Sequence, residues 1–397
     1  MFTTMLRLPR NVWIIAATLS LAIAGMPLLV LISGLLGAKL APVAELATLP
    51  LALTVVGLAL AAIPAAFIAK RIGRKNAGFL GISIAFVGTL FCALATYLLS
   101  FFFLLLGSLL IGTSTAFFQQ FRFAAIESLQ NKDDTGPALS LIMLCSIFAG
   151  IFGPELGEIG RDLISIDAPY MGSFVLMALV LVLSFIVFSF FKNPHIIEED
   201  DQGPSRPLAT IVKQPTFIIA VCASLVGYAV MSFIMTSTPI SMNVMHGHSL
   251  QDSKWVIQSH LVAMFAPSLF SGYLIKRFGT GVIMSAGSLI YLFVIGIAAS
   301  GHHLLHYWWS LVLLGIGWNF LFISGTSLLP SSYRHSERFK AQAVNDFSIF
   351  GSQALASLSA GWILFSLGWL TQILICLPFV ILMLLVALYH WRTQAQT

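Results

Sequence analysis

At 397 residues, with 58% hydrophobic and only 9% charged side chains, the chain cannot be a water-soluble globule, in which about a quarter of residues carry charge. It reads as an all-α integral membrane protein. The net charge of +5 does not point to nucleic acid, because the cations sit in short turns between apolar runs rather than along one face.

From the N-terminus, MFTTMLRLPRN leads into about 25 apolar residues, too many for a signal-peptide core, so this segment is expected to remain as a first span. Apolar runs of roughly 20 residues lie near 12–36, 46–69, 76–97, 99–126, 136–160, 170–191, 215–239, 255–275, 281–300, 305–329, 339–366 and 369–391. Numbered spans 1 to 12 in that order, six precede and six follow the stretch 192–214, KNPHIIEEDDQGPSRPLATIVKQ. That stretch carries the acidic run and three prolines, the marks of a linker. The expected organisation is an N-terminal bundle 1–191, a cytoplasmic linker 192–214 and a C-terminal bundle 215–397. Cys92, Cys145, Cys222 and Cys376 each fall inside an apolar run without CxxC spacing and read as buried fillers.

Lys and Arg concentrate on the cytoplasmic side of membrane helices. With both termini inside, sixteen of the 20 cations fall on that side, Lys39, Arg161 and Lys254 fall outside, and Arg122 lies within span 4. A multi-pass protein of the cell (inner) membrane with both termini cytoplasmic is therefore expected.

Between spans 2 and 3, AAFIAKRIGRK packs Lys70, Arg71, Arg74 and Lys75 around Gly73, and a weaker copy, GYLIKRFG, spans 272–279 between spans 8 and 9. Setting Gly112 over Gly315 without gaps brings the charged turn NKDDTGPALS (131–140) over RHSERFKAQA (334–343). The two halves read as parallel repeats, the arrangement of carriers whose site lies between repeats.

Twelve spans, a six-plus-six division and a basic turn after spans 2 and 8 resemble the major facilitator superfamily. Its signature turn, commonly GxLaDRxGRK, matches Ala66–Lys75 at Arg71, Gly73, Arg74 and Lys75, and departs at Ala66 and at Lys70, where the family has an acid. The second copy keeps Gly272 but again has a lysine, Lys276, at the acidic place. The resemblance implies a gating role for Lys70, Arg71, Gly73 and Arg74, with the usual acidic lock missing. In span 5, Gly150 to Glu158 is similar to the GPxxGG run of many antiporters, with Glu158 in place of the last glycine. Ser108 stands where many members carry an arginine early in span 4. Spans 1, 4, 7 and 10 line the cavity in the family, which makes Trp318 and Asn319 of span 10 candidate substrate contacts; Asn319 aligns with Ala116.

Charges within spans are costly, on the order of 2.5–3.5 kcal/mol at a helix centre, and so invite functional readings. Arg122 lies in FFQQFRFAAIE with Gln119 one turn before it, a pair suited to a carboxylate or other anion. A structural ion pair with Glu127 or with the second half is the alternative. Asp346 of span 11, followed along its face by Gln353, is expected to carry a proton, to pair with Arg122 or Lys70, or to cap the gate. Glu155 beside Pro154 is the first candidate for proton coupling and Asp346 the second, with Glu158 read as solvated. His260 of span 8 is a further proton-coupling candidate, against the plainer reading that it hydrogen-bonds a neighbour. The outer histidines His246, His248, His302, His303 and His306 lack a carboxylate or cysteine at ligand spacing, so neither metal nor cofactor is expected.

The sequence has no GxxxxGK[ST] motif and no soluble region the size of an ATPase domain. A monomeric secondary transporter is expected, moving a small organic solute by alternating access with protons as coupling ion. The span 5 pattern leans to export, while Arg122 with Gln119 leans to an importer of an organic anion or nutrient. A polytopic membrane enzyme would need clustered catalytic residues, and a receptor would carry a sizeable signalling domain.

Overall fold

The computed structural model describes residues 7–129, 134–164, 168–193 and 206–394. The acidic run of the linker and the Lys132 turn lie outside them. Among the described residues there is no strand. In chain order the helices are α1 (Arg10–Ala22), α2 (Gly25–Leu40), α3 (Leu49–Tyr97), α4 (Phe101–Gln119), α5 (Phe121–Glu127), α6 (Thr135–Ile159) and α7 (Met171–Ser189). They continue as α8 (Leu208–Val212), α9 (Pro215–Ile240), α10 (Leu250–Phe265), α11 (Ser268–Phe278), α12 (Thr280–Ser300), α13 (Leu304–Leu328) and α14 (Arg338–Gln394).

Eight stretches of the described residues are long and apolar enough to cross a membrane, and two of them, Ala44–Tyr97 and Lys340–Thr393, run for 54 residues each. At 1.5 Å per residue such a stretch is more than twice the thickness of the hydrocarbon layer. Each is divided by a glycine in the left-handed region, Gly73 at φ 83° and Gly368 at φ 81°, where the chain turns at no steric cost. These turns fall where spans 2 and 3, and spans 11 and 12, were expected to meet.

Three expected spans are not continuous. Span 1 breaks between α1 and α2, span 4 at Gln120, and span 8 at Ala266–Pro267. At the last, proline removes a backbone donor and crowds the preceding turn.

The chain divides into two compact units, Met1–Ile197 with Ser249–Gln258, and Glu198–His248 with Ser259–Thr397. Within the first, helices approach through small residues: a Cβ on Gly112 of α4 would collide with the Thr54 carbonyl of α3, and one on Gly107 would lie 2.6 Å from the Gly88 carbonyl oxygen. Gly153 of α6 packs in the same way on Ala24 and Leu28 beside the break in span 1. Within the second unit, a Cβ on Gly315 of α13 would lie 2.7 Å from the His260 carbonyl oxygen of α10. Between apolar helices in lipid, such close approach supplies the dispersion contacts that hold the bundle together.

Candidate functional site

The basic turn of the first unit is anchored by its last two cations. Gly73 reverses the chain, which aims Arg74 at α5: its Nε and Nη2 donate to the two oxygens of Glu127 at 2.9 and 2.5 Å, and Nη1 donates to Gln120 at 3.1 Å. A guanidinium held through two nitrogens is a directional clamp. Lys75 donates its backbone N–H to Asn193 Oδ1 and its ammonium to the Ser189 carbonyl, both at 2.8 Å, tying the turn to the end of α7. Lys70 and Arg71 are exposed.

Glu127 is thus the partner of Arg74, which overturns the alternative of a structural pair between Glu127 and Arg122. Arg122 is exposed, with its guanidinium 4.7 Å from the centroid of the Phe123 ring. Gln119 is exposed at the end of α4, across the break from Arg122.

Glu155 sits in a polar cluster. Lys254 Nζ lies 3.0 and 3.1 Å from its two oxygens, and Gln258 donates to Oε1 at 3.0 Å and to the Ile151 carbonyl at 2.9 Å. The same ammonium pairs with Glu158 at 2.5 Å, so Glu158 is not simply solvated as the sequence implied. The Lys254 side chain is 12% exposed. An ammonium and an amide thus surround Glu155.

In the second unit, Asn319 is fully buried and fully used. Its amide donates to the Met264 carbonyl and to Ser268 Oγ, and its Oδ1 accepts from Ser271, each at 2.7 Å. It occupies the break between α10 and α11, where helix-end carbonyls need donors. The side chain proposed from sequence as a substrate contact is spent on the fold. His260 is likewise buried, its Nδ1 2.6 Å from the Leu311 carbonyl oxygen and its Nε2 without a hydrogen-bond partner. Asp346 accepts from Asn345 at 3.0 Å.

A buried carboxylate that the sequence reading passed over is Glu337, at the turn before α14. Its side chain is 0% exposed. Arg206 Nε and Nη2 donate to it at 2.8 and 2.7 Å, and the backbone N–H groups of Arg206 and Arg334 at 2.7 and 2.9 Å. These donors, the Arg206 side chain above all, hold its pKa well below the usual carboxylate range. Arg206 and Gln214 also reach the Ser332 carbonyl, so the downstream end of the linker is strapped to the turn between α13 and α14.

Trp318 belongs to a group of rings drawn from four helices. Tyr228 of α9 stands edge-on to Trp318, Phe322 and Phe350, with centroids 5.2, 5.2 and 6.0 Å away. Phe265 is edge-on to Trp318 at 5.9 Å, and Trp318 stacks on Phe322 at 5.1 Å. Trp318 is buried, whereas Tyr228, Phe265, Phe322 and Phe350 are half-buried. The sequence reading found Trp318 but missed the others, which 32 phenylalanines had hidden.

Beyond the C-terminal end of α9 the outer histidines form a second group. His246 and His302 stack with centroids 3.9 Å apart, and His246 Nδ1 lies 2.8 Å from the Ser241 carbonyl oxygen and 3.1 Å from Tyr307 Oη. Burial, then the neighbouring His246, holds the His302 imidazole below its ordinary pKa.

Comparison with known proteins supplies a frame for these sites. The family model described as Major Facilitator Superfamily matches residues 12–253 and 220–397. The chain is 38% identical over 377 residues to the riboflavin transporter RfnT of Brucella anthropi, covering 94% of each chain. It is 29% identical to an uncharacterized MFS-type transporter, YdeG, of Bacillus subtilis, over 92% of this chain and 88% of that one. Among solved structures it superposes on the POT family transporter PepTSo with a TM-score of 0.76, covering 98% and 99% of the two chains at 13% identity, which speaks to the fold alone.

Proposed function

The chain belongs to the major facilitator superfamily, and on that premise we propose that it carries riboflavin, or a closely similar flavin, across the cell membrane by alternating access. It is a solute transporter rather than an enzyme. The observation that carries the flavin reading is 38% identity to a riboflavin transporter, sustained over 94% of both chains. The cluster of rings around Tyr228 supports it, since a flat heteroaromatic solute is matched by aromatic faces with a few polar atoms.

Both termini are assigned to the cytoplasm, on the sixteen-to-three division of cations. Energy is assigned to a proton gradient, with Glu155 and Asp346 as the coupling groups. The span 5 pattern is not used to assign direction, because Gly153 and Gly157 pack on Ala24 and on Leu28 and Leu31 of α2. A secondary carrier is reversible, and net flow follows the gradients of flavin and protons.

The test is counterflow of labelled riboflavin in proteoliposomes, loaded from either side. Accumulation of label against unlabelled internal riboflavin is the expected result. Absence of counterflow with riboflavin, in protein that is monodisperse and melts cooperatively, overturns the flavin assignment. A dependence of accumulation on an imposed pH gradient tests the coupling.

A further inference from the structure

The rings around Tyr228 differ from an ordinary aromatic core in two ways. Four of the five are half-buried although they come from four different helices, α9, α10, α13 and α14. Rings that converge from four helices meet among those helices and yet keep part of their surface open. The second difference is polar. Trp318 Nε1 and Gln353 Oε1 are both buried without a hydrogen-bond partner, a costly state for a donor and an acceptor alike.

Gln353 can be placed relative to the rings. On α14, Phe350 touches Tyr228 of α9, and Ser357 Oγ lies 2.9 Å from Thr236 Oγ1 of the same helix. Phe350, Gln353 and Ser357 follow the three- and four-residue spacing of one helix face. Gln353 therefore faces α9 between these two contacts, one turn from Phe350. The result is an unmet donor on α13 within the group of half-buried rings and an unmet acceptor on α14 one helical turn from Phe350.

We infer that Tyr228, Trp318, Phe322, Phe350 and Gln353 form the subsite for the flat ring system of the solute, an inference that rests on the flavin reading. The ring lies against the aromatic faces. Its pyrimidinedione edge, which alternates carbonyl acceptors with an N–H donor, accepts from Trp318 Nε1 and donates to Gln353 Oε1. Recognition by a buried donor and acceptor rejects an analogue that cannot fill both far more strongly than apolar contact alone. The sugar-alcohol chain of riboflavin contributes nothing to this subsite.

The experiment measures binding by quenching of flavin fluorescence on the full-length protein in detergent, using riboflavin, lumichrome (the ring system without the sugar chain) and riboflavin methylated at the ring N–H. Wild type is expected to bind riboflavin and lumichrome and to bind the methylated form about tenfold more weakly. Gln353→Leu is expected to lose that discrimination. Trp318→Phe, which keeps a ring and removes the donor, is expected to weaken riboflavin and lumichrome by the same factor. Equal binding of methylated and unmethylated riboflavin by wild type, which needs no variant to fold, overturns the subsite while leaving the flavin reading intact. The same conclusion follows if Trp318→Phe and Gln353→Leu bind all three probes as wild type does. Failure of wild type to bind riboflavin or to exchange it in vesicles removes the flavin reading, and the subsite with it.

Discussion

Gly112 and Gly315 hold the same station in the two units. A Cβ on the first would collide with the backbone carbonyl of Thr54, and one on the second would lie 2.7 Å from that of His260. The acceptors are themselves equivalent, since the 206-residue spacing from Gly73 to Gly279 carries Thr54 onto His260. Gly73 and Gly279 share a backbone conformation too, φ 83° with ψ 158° and φ 84° with ψ 160°. The duplication read from the sequence is thus repeated in contacts and in turn geometry.

Replacing either glycine of the matched pair with alanine is expected to destabilise the protein by overpacking, on the order of 1–3 kcal/mol. The cost is larger at Gly112, where the backbone approaches more closely. Thermal midpoints in detergent measure it; a Gly112→Ala variant that melts with wild type would show the helices free to separate.

The Arg74–Glu127 clamp predicts a coupled pair. Side chains 18% and 23% exposed leave each charge costly to strand, so Arg74→Gln and Glu127→Gln are each expected to lose more stability than the double variant's loss would apportion to them. A coupling of about 1 kcal/mol in the double-mutant cycle is expected. Independent, additive losses would refute the pairing.

Glu337 sets an acid limit. Because its pKa in the fold lies below the unfolded value, its contribution is fully present above the usual carboxylate range and is lost as pH falls through the folded value. The melting temperature of wild type is expected to drop more steeply below about pH 4.5 than that of Glu337→Gln, which starts lower and varies less. Parallel pH profiles would show the pair to be without weight.

Coupling through Glu155 requires its bond to Lys254 to break and re-form. Glu155→Gln is expected to retain riboflavin counterflow and to lose accumulation driven by a pH gradient, and Lys254→Gln to shift the pH dependence of transport. If Glu155→Gln still responds to the gradient and Asp346→Asn does not, coupling belongs to α14.

What the sequence made legible was whatever repeats locally: apolar runs, basic turns, the glycine that must reverse the chain. It did not show partners that only folding brings together. Glu337 was one letter of a charged turn, yet Arg206, far back in the linker, closes on it. Asn319 was singled out through the resemblance and His260 as a polar group within a span, but the bonds they make, at the break beside Pro267 and to the Leu311 carbonyl, were not legible. Tyr228 and Phe350 carried no signal, because ring residues facing lipid and ring residues packed against one another within a bundle are spelled alike.

The two ends of the linker are each fastened inside their own unit, Asn193 to the backbone of Lys75 and Arg206 to Glu337. That marks where the gene could be cut. A break between codons 193 and 206 would leave every one of these fastenings on its own fragment. Lys254 would then travel on the second fragment while its partners Glu155 and Glu158 travelled on the first. Two polypeptides made from separate messages would thus carry a ready-made test of reassembly, the recovery of those ion pairs.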